Sequence, residues 1–366
     1  MKKYNSIKIW ELDNYKGDLN VILSKKGRDY IRKKILKRYK LIKNATKKIN
    51  FGYWSLIDNL RGRHSIDFLK LSQLVTKLNL NRNFIQREIE GLVTRSKKIK
   101  NVHFPIQCDP VFGSLFTNLL GDCGARGGNG SGYAHYNDPE SHQLIQEKLL
   151  HILGVTPYQD GMSIPRVLVY LMLKYFKIDN VSTKKGRLPV KILKADRSTK
   201  LASLTAFIND EGTVSTSFIQ MYSSNYKLLN GIKNLSRSLG YRVSKISRRK
   251  DKKVYLFRIN SIREFSRDYK ELVGKYPEIR LLTRKERPLR ILDLVAQRPK
   301  GVRRPKEIFN LIMLNLENSP KTIYDLCEIT QFTQSALWGH LRKLIKTGLI
   351  KRKFSNSKTR YIYTLS

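Results

Sequence analysis

Two stretches of this 366-residue chain join small side chains to a terminal acid. In residues 201–214 (LASLTAFINDEGTV) small residues recur on one helical face until Glu211 and Gly212 stop the helix. In residues 113–125 (GSLFTNLLGDCGA) the run ends in Asp122. Two such helices lying side by side would bring Asp122 and Glu211 together, which is an arrangement for a divalent cation. Cutting a phosphodiester at neutral pH needs a nucleophilic water and relief of charge on the leaving oxygen, and hard cations on carboxylates supply both. Mg²⁺ or Mn²⁺ keeps most of its waters, so one acid per helix suffices. As a mere helix end, an acid opposes the helix dipole and is costly.

The segments downstream of the two acids also repeat. After Asp122 come a Gly-rich hairpin around residues 133–136 and a helix over 141–153 ending at Gly154. After Glu211 come a hairpin to residues 217–222 and a helix over 225–239 ending at Gly240. Both helices close on Leu-Gly, the sequence of a left-handed C-cap. The second copy continues into a hairpin over 242–259, turning at 249–252, and a helix over 261–275. In the first copy that hairpin shrinks to residues 155–163 before a helix over 164–176, so the first half is abbreviated. Residues 181–200 read as a basic linker between the copies and 276–304 as a second basic connector. The run GARGGNGSG (124–132) lacks the Gly-Lys-Ser/Thr ending of a phosphate loop and opens no helix, so it reads as a hairpin.

The flanks are strongly basic. Residues 25–48 place Ile31, Ile35, Tyr39 and Ile42 at helical spacing among lysines and arginines, and so one-sided a charge suits phosphate contact. Residues 50–96 read as several short helices, consistent with a helix-turn-helix unit. Pro105 and Pro110 mark a boundary. At the other end, a helix through Ile308–Leu314, a second capped at Ser319-Pro320, a third from Thr333 to Thr347 and a terminal hairpin give the order of a winged helix-turn-helix.

The formal net charge is +43. That excess points to a polyanionic partner, with double-stranded DNA first and RNA sharing the same electrostatics. A membrane span is not expected, since the longest apolar run is seven residues (167–173) against the roughly 20 that a span needs. No apolar stretch follows the charged N-terminus, so a cytoplasmic, nucleoid-associated protein is expected. Cys108, Cys123 and Cys327 have no metal-ligand spacing, and the six histidines show none either.

LTAFINDEG and LFTNLLGDC resemble the two motifs of the monomeric LAGLIDADG homing endonucleases, over roughly residues 105–290. The resemblance implies a pseudo-twofold pair of αββαββα units whose motif helices form a central seam and whose sheets form a saddle over the DNA major groove. It puts Asp122 and Glu211 at the metal-binding positions. Thr117, Gly121, Ala206 and Asp210 then take the close-packing positions of the seam. Cys123 stands where a glycine is usual, and Asp210 where a smaller residue is usual. In the family a polar or basic residue near each metal organises water; Arg280 and Gln220 are the candidates here.

The expected fold is therefore α+β. It comprises a basic helical domain (1–104), an abbreviated first repeat (105–180), the linker (181–200), a second repeat (201–290) and a winged helix (300–366). Alternation puts Phe218, Gln220 and Tyr222 on one sheet face and Ile219 and Met221 on the other. The DNA-facing set is Phe218, Gln220, Tyr222, Arg248, Lys250 and Lys253 in the sheet. In the winged helix it is Gln334, Ser335, His340, Arg342, Lys343, Lys358 and Arg360. The expected activity is site-specific, metal-dependent hydrolysis of double-stranded DNA by a monomer. The alternative is a non-catalytic transcription regulator on the same fold.

Overall fold

The computed structural model describes residues 4–366 except 13–14, 16, 95–97, 122, 126–131, 135–137, 156–162, 180, 182–185, 250–252, 298–304 and 356–359. The chain is a mixed α+β protein that divides into two compact units. One is residues 1–203 with 276–279; the other is residues 204–275 with 280–366.

The first unit begins with β1 (Ser6–Ile7), β2 (Asn20–Leu23), α1 (Lys25–Tyr39), α2 (Ile42–Ile49) and α3 (Tyr53–Arg61). β3 (Ile66–Asp67), α4 (Phe68–Lys77), α5 (Arg82–Arg87), β4 (Ile89–Val93) and β5 (Lys98–Lys100) come next. The strands form an antiparallel sheet in the order β3-β2-β4-β5. The region expected to be helical thus also carries a sheet. Ile89, Leu92 and Val93 lie in a strand, and the backbone is so close at Gly91 that a Cβ there would stand 2.7 Å from the Ile99 carbonyl oxygen. Nor is 25–48 one helix. Lys40 adopts φ 60° and Leu41 is extended, which ends α1 and starts α2. Ile31 and Ile35 are buried as the spacing predicts.

Beyond them lie β6 (Ile106–Gln107), paired with β1, then α6 (Pro110–Leu120), β7 (Cys123–Ala125), β8 (Gly132–Ala134) and α7 (Pro139–Leu153). Both helices start with Asp at the N-cap and Pro behind it. Asp109 accepts from the Phe112 N–H at 3.0 Å, and Asp138 from the Ser141 N–H at 2.9 Å, which satisfies donors that a helix start leaves open. α7 ends at Gly154 with φ 76°, as a C-cap glycine should. β9 (Ser163–Ile164), α8 (Arg166–Phe176) and α9 (Val190–Leu193) complete the run, and β7-β8-β9 form a three-stranded sheet. Every residue of α6 is buried, the signature of a helix enclosed on all sides.

From residue 186 on, the basic linker is structured. Leu188 and Ile192 are buried, and Asp196 accepts from the Thr199 N–H at 2.9 Å to start α10 (Arg197–Glu211) four residues ahead of Leu201. α10 begins in the first unit and ends in the second.

The second unit continues with β10 (Gly212–Val214), β11 (Ile219–Ser223), α11 (Tyr226–Ser238), β12 (Ser247–Arg249), β13 (Val254–Ile259) and α12 (Ile262–Lys275). The antiparallel sheet runs β10-β11-β13-β12. Its inner face carries Ile219, Met221, Phe257 and Ile259, all buried, covered by Leu228, Leu229 and Ile232 of α11. The expected basic connector contains a 3-10 turn (Pro277–Ile279), which belongs to the first unit, and a helix, α13 (Thr283–Gln297). The helix forms because Leu289, Ile291 and Leu292 are buried along one side.

The chain ends in α14 (Pro305–Asn318), β14 (Lys321–Thr322), α15 (Ile323–Thr330), α16 (Gln334–Lys346), β15 (Ile350–Ser355) and β16 (Arg360–Leu365), with sheet order β14-β16-β15. α15 is capped by a reciprocal Thr322–Asp325 box, not by Ser319-Pro320. Ile308, Ile312, Leu326, Leu337, Leu341 and Tyr363 form the core of this part.

Candidate nucleic-acid interface

Glu211 is the last residue of α10 and half-buried. Its position is set by the neighbouring backbone. Gly212 has no room for a side chain, since a Cβ would stand 2.8 Å from both Cα and O of Ile208. The C-terminal carbonyls of α10 are taken up by Lys285 of α13, whose Nζ donates to Ile208 O (2.8 Å) and Asn209 O (2.5 Å). A cation there also offsets the negative helix end. Asn209 fixes the adjacent segment, donating from Nδ2 to Arg280 O (2.9 Å) and accepting from the Leu282 N–H (3.0 Å). Arg280 therefore sits in the strap behind the acidic end, half-buried. Asp122 lies outside the described residues.

The seam residues are placed unit by unit. In the first, Thr117 is buried and its hydroxyl donates to Gly113 O at 3.0 Å, while the Gly121 N–H closes α6. A Cβ on Gly113 would meet Thr199 Cγ2 of α10 at 2.9 Å and Ser203 Oγ at 3.5 Å, so α6 and the start of α10 pack backbone-close. In the second, Ala206 is buried and Asp210 half-buried.

The outer face of the β10–β13 sheet follows the alternation. Gln220 is opposite Arg258 and Thr213. The Arg258 Nε donates to Gln220 Oε1 at 2.7 Å and its guanidinium lies 4.4 Å from the Phe218 ring centroid. Gln220 in turn donates to the Tyr222 hydroxyl. Gln220 is 9 % exposed and held at both ends, so the cation this cluster offers to solvent is Arg258, which the sequence alone does not single out. Its signal is the cross-strand register with Gln220. On the edge hairpin Arg248 lies over the Tyr255 ring at 5.9 Å, and Lys253 is exposed with φ 50°. Lys250 is outside the described residues.

In the C-terminal part, Arg342 and Lys343 are exposed along α16, and Arg342 lies 5.7 Å from the Trp338 ring centroid. His340 packs against Phe309 and Phe332, and burial together with Lys343 lowers its pKa. It belongs as much to the packing as to the surface. The first turn of α16 is engaged inside the unit. The Gln334 N–H donates to Thr216 Oγ1 at 3.0 Å, and Ser217 Oγ donates to Ser335 Oγ at 3.4 Å. Lys358 lies outside the described residues, and Arg360 opens β16.

Among the described residues, no group of three His, Cys, Asp or Glu side chains could hold a metal ion. The Cys108 and Cys327 thiols are free, and burial pushes each up to about 12. No helix among the described residues is long and apolar enough to cross a membrane.

Helix, strand, two helices and a hairpin, with the first short strand paired to the last, define the C-terminal part as a winged helix-turn-helix, a class of domain that binds DNA. Residues 310–352 match the family model described as bacterial regulatory protein, arsR family. No curated protein matches the chain significantly.

Proposed function

We propose that the chain is a sequence-specific double-stranded-DNA-binding protein with two LAGLIDADG-type repeats at its centre and a winged helix extending the contact. The observation that carries the reading is the outer face of the β10–β13 sheet, where Phe218, Tyr222 and Arg258 converge. The order α10-β10-β11-α11-β12-β13-α12 supports it, being the αββαββα order that the resemblance implies. So does the close approach of α6 to α10 at Gly113, which suits a helix seam. The first repeat would be the shorter counterpart, α6-β7-β8-α7-β9-α8, within a single chain that acts as a monomer. In this reading the sheets meet base edges, and the basic flanks meet phosphates. The test is equilibrium binding of the full chain to a randomised duplex library, with selection of bound sequences. An unenriched pool after repeated rounds would rule out sequence-specific recognition.

A second reading adds catalysis, and Glu211 favours it: an acid held half-buried at a helix end behind an obligatory glycine. A hydrated Mg²⁺ or Mn²⁺ needs only one or two protein carboxylates, and Glu211 would serve as one of them. When bound, such a cation supplies a water nucleophile and charge relief at the leaving oxygen. The protein's own contribution is orientation: Lys285 and Asn209 fix the backbone at the end of α10, next to Glu211 and β10. Incubating the full chain with the library and Mg²⁺ or Mn²⁺ should give double-strand cuts that Glu211→Gln abolishes while leaving affinity within about threefold. If the wild-type chain cuts nothing, the non-catalytic regulator is the correct reading.

A further inference from the structure

Within the second unit, the winged helix and the strand that leaves Glu211 enclose a groove of about 570 Å³. Trp338 of α16, Arg352 and Phe354 of β15, and Tyr361 of β16 form one side, and Arg284 and Lys285 of α13 contribute to the other. Among the described residues the lining includes three cations and no acid. The rings are already organised around a guanidinium. Arg352 lies 5.1 Å from the Trp338 ring centroid and 3.6 Å from that of Tyr361, with Phe354 edge-on to Tyr361 at 5.4 Å. Phe354 and Tyr361 nonetheless remain 56 % and 48 % exposed, so both keep side-chain surface that a ligand could cover.

Three properties narrow the occupant. A lining of cations, with Arg284 and Arg352 foremost, calls for an anion. The exposed rings call for a flat π-system, since base–aromatic stacking is how proteins hold unpaired nucleotides. The concave shape is too confined for a duplex, whereas one nucleotide fits a cavity of this size. Gly212 and Thr213 also line the groove, so its occupant would lie next to the acidic end of α10. The first turn of α16, which in a free winged helix is available to a major groove, is instead tied to Thr216 and Ser217. That leaves the wing and this groove as the open face.

We propose that the groove holds an unpaired DNA nucleotide, its base stacked on the Trp338–Arg352–Tyr361 ladder and its phosphate met by Arg284. The proposal rests on the DNA-binding reading and adds to it a preference for a base taken out of the duplex. The full chain would be titrated, by fluorescence anisotropy at fixed salt, with a labelled oligo(dT) single strand and with a labelled duplex of equal length. Replacing one stacking ring by alanine typically costs 1–3 kcal/mol per base, about 5- to 150-fold in affinity. Tyr361→Ala should therefore weaken oligo(dT) by about that factor and leave the duplex within about twofold. Lys343→Ala, outside the groove, should affect both alike. Because Tyr361 is half exposed, folding of the variant is expected to be intact. Independently of any variant of the groove, Trp338 fluorescence in a Trp10→Phe, Trp54→Phe background should be quenched by oligo(dT).

Equal loss for both ligands in Tyr361→Ala, or no quenching of Trp338, would overturn the proposal. Tighter binding of oligo(rU) than oligo(dT) would also overturn it, by assigning the groove to RNA. A chain that binds duplex but no single strand defeats this proposal alone, whereas one that binds neither defeats the DNA-binding reading beneath it.

Discussion

His151 shows how one side chain can tie elements together through its charge. Its Nε2 lies 2.5 Å from Asp109 Oδ2 and its Nδ1 3.2 Å from Glu278 Oε1, linking α7 to the cap of α6 and to the 3-10 turn at Pro277–Ile279. The Asp109 hydrogen bond raises the imidazole pKa above its usual 6.5, against an opposing push from burial and with further help from Glu278. A group whose folded pKa is raised contributes stability that is complete below its unfolded pKa and is lost as pH rises through the folded one. The first unit should therefore lose stability as pH rises above about 6.5, and His151→Gln should flatten that slope. Urea midpoints between pH 6 and 9 measure it; parallel slopes for both proteins would refute it. Single residues differ in how far their sequence context announces them. Glu211 and the outward set Phe218, Gln220 and Tyr222 can be read from a motif and a period of two. Arg258 and Lys285 cannot, because 72 lysines and arginines leave charge unable to single out one, and only register or a helix end does so.

Among the elements, α13 departs furthest from its sequence appearance. Its arginines and lysines and the internal Pro288 disguise a helix as a connector. What fixes it is tertiary: Tyr269 donates to Glu286 at 2.8 Å, and Arg287 bridges Glu328 and Asp325 of α15, each at 2.6 Å. These ionic bonds raise the Arg287 pKa; at Asp325 burial pushes upward, but the bonds from Arg287 and Thr322 outweigh it and lower the pKa. Breaking a fully buried pair costs about 3–5 kcal/mol. Arg287 is one-fifth exposed and its partners about one-third, so solvent screening reduces the expected loss to about 1–3 kcal/mol for Arg287→Ala. For a unit of this size that is a fall of about 2–12 °C in melting temperature, readable by thermal denaturation with the exposed Arg290→Ala as an unchanged control. The C-cap glycines, the β10–β11 hairpin and the winged helix are legible because local signals and burial agree there; of the hairpin expected at 155–163, residues 156–162 lie outside the described ones. The split of 25–48 at Lys40 and the strand at Ile89 are not, since neither is announced by Gly, Pro or a change of period.

For the whole molecule, the net charge of +43 makes salt the strongest external variable. If six to ten phosphates are contacted, affinity should fall about 10³- to 10⁵-fold between 50 and 200 mM salt. Affinity independent of salt would exclude a phosphate-driven interaction. Among the described residues, the sheets of the two proposed repeats also differ in size: three short strands in β7-β8-β9 and four in β10-β11-β13-β12. Under the proposed function, that inequality gives the protein a reading direction. Four strands present more side chains to base edges than three, so sequence information should be concentrated in one half of the target. A set of selected duplexes should then show a lopsided consensus instead of a palindrome. The protein would sit on its site in one orientation only, with the winged helix always on the same side of the well-specified half.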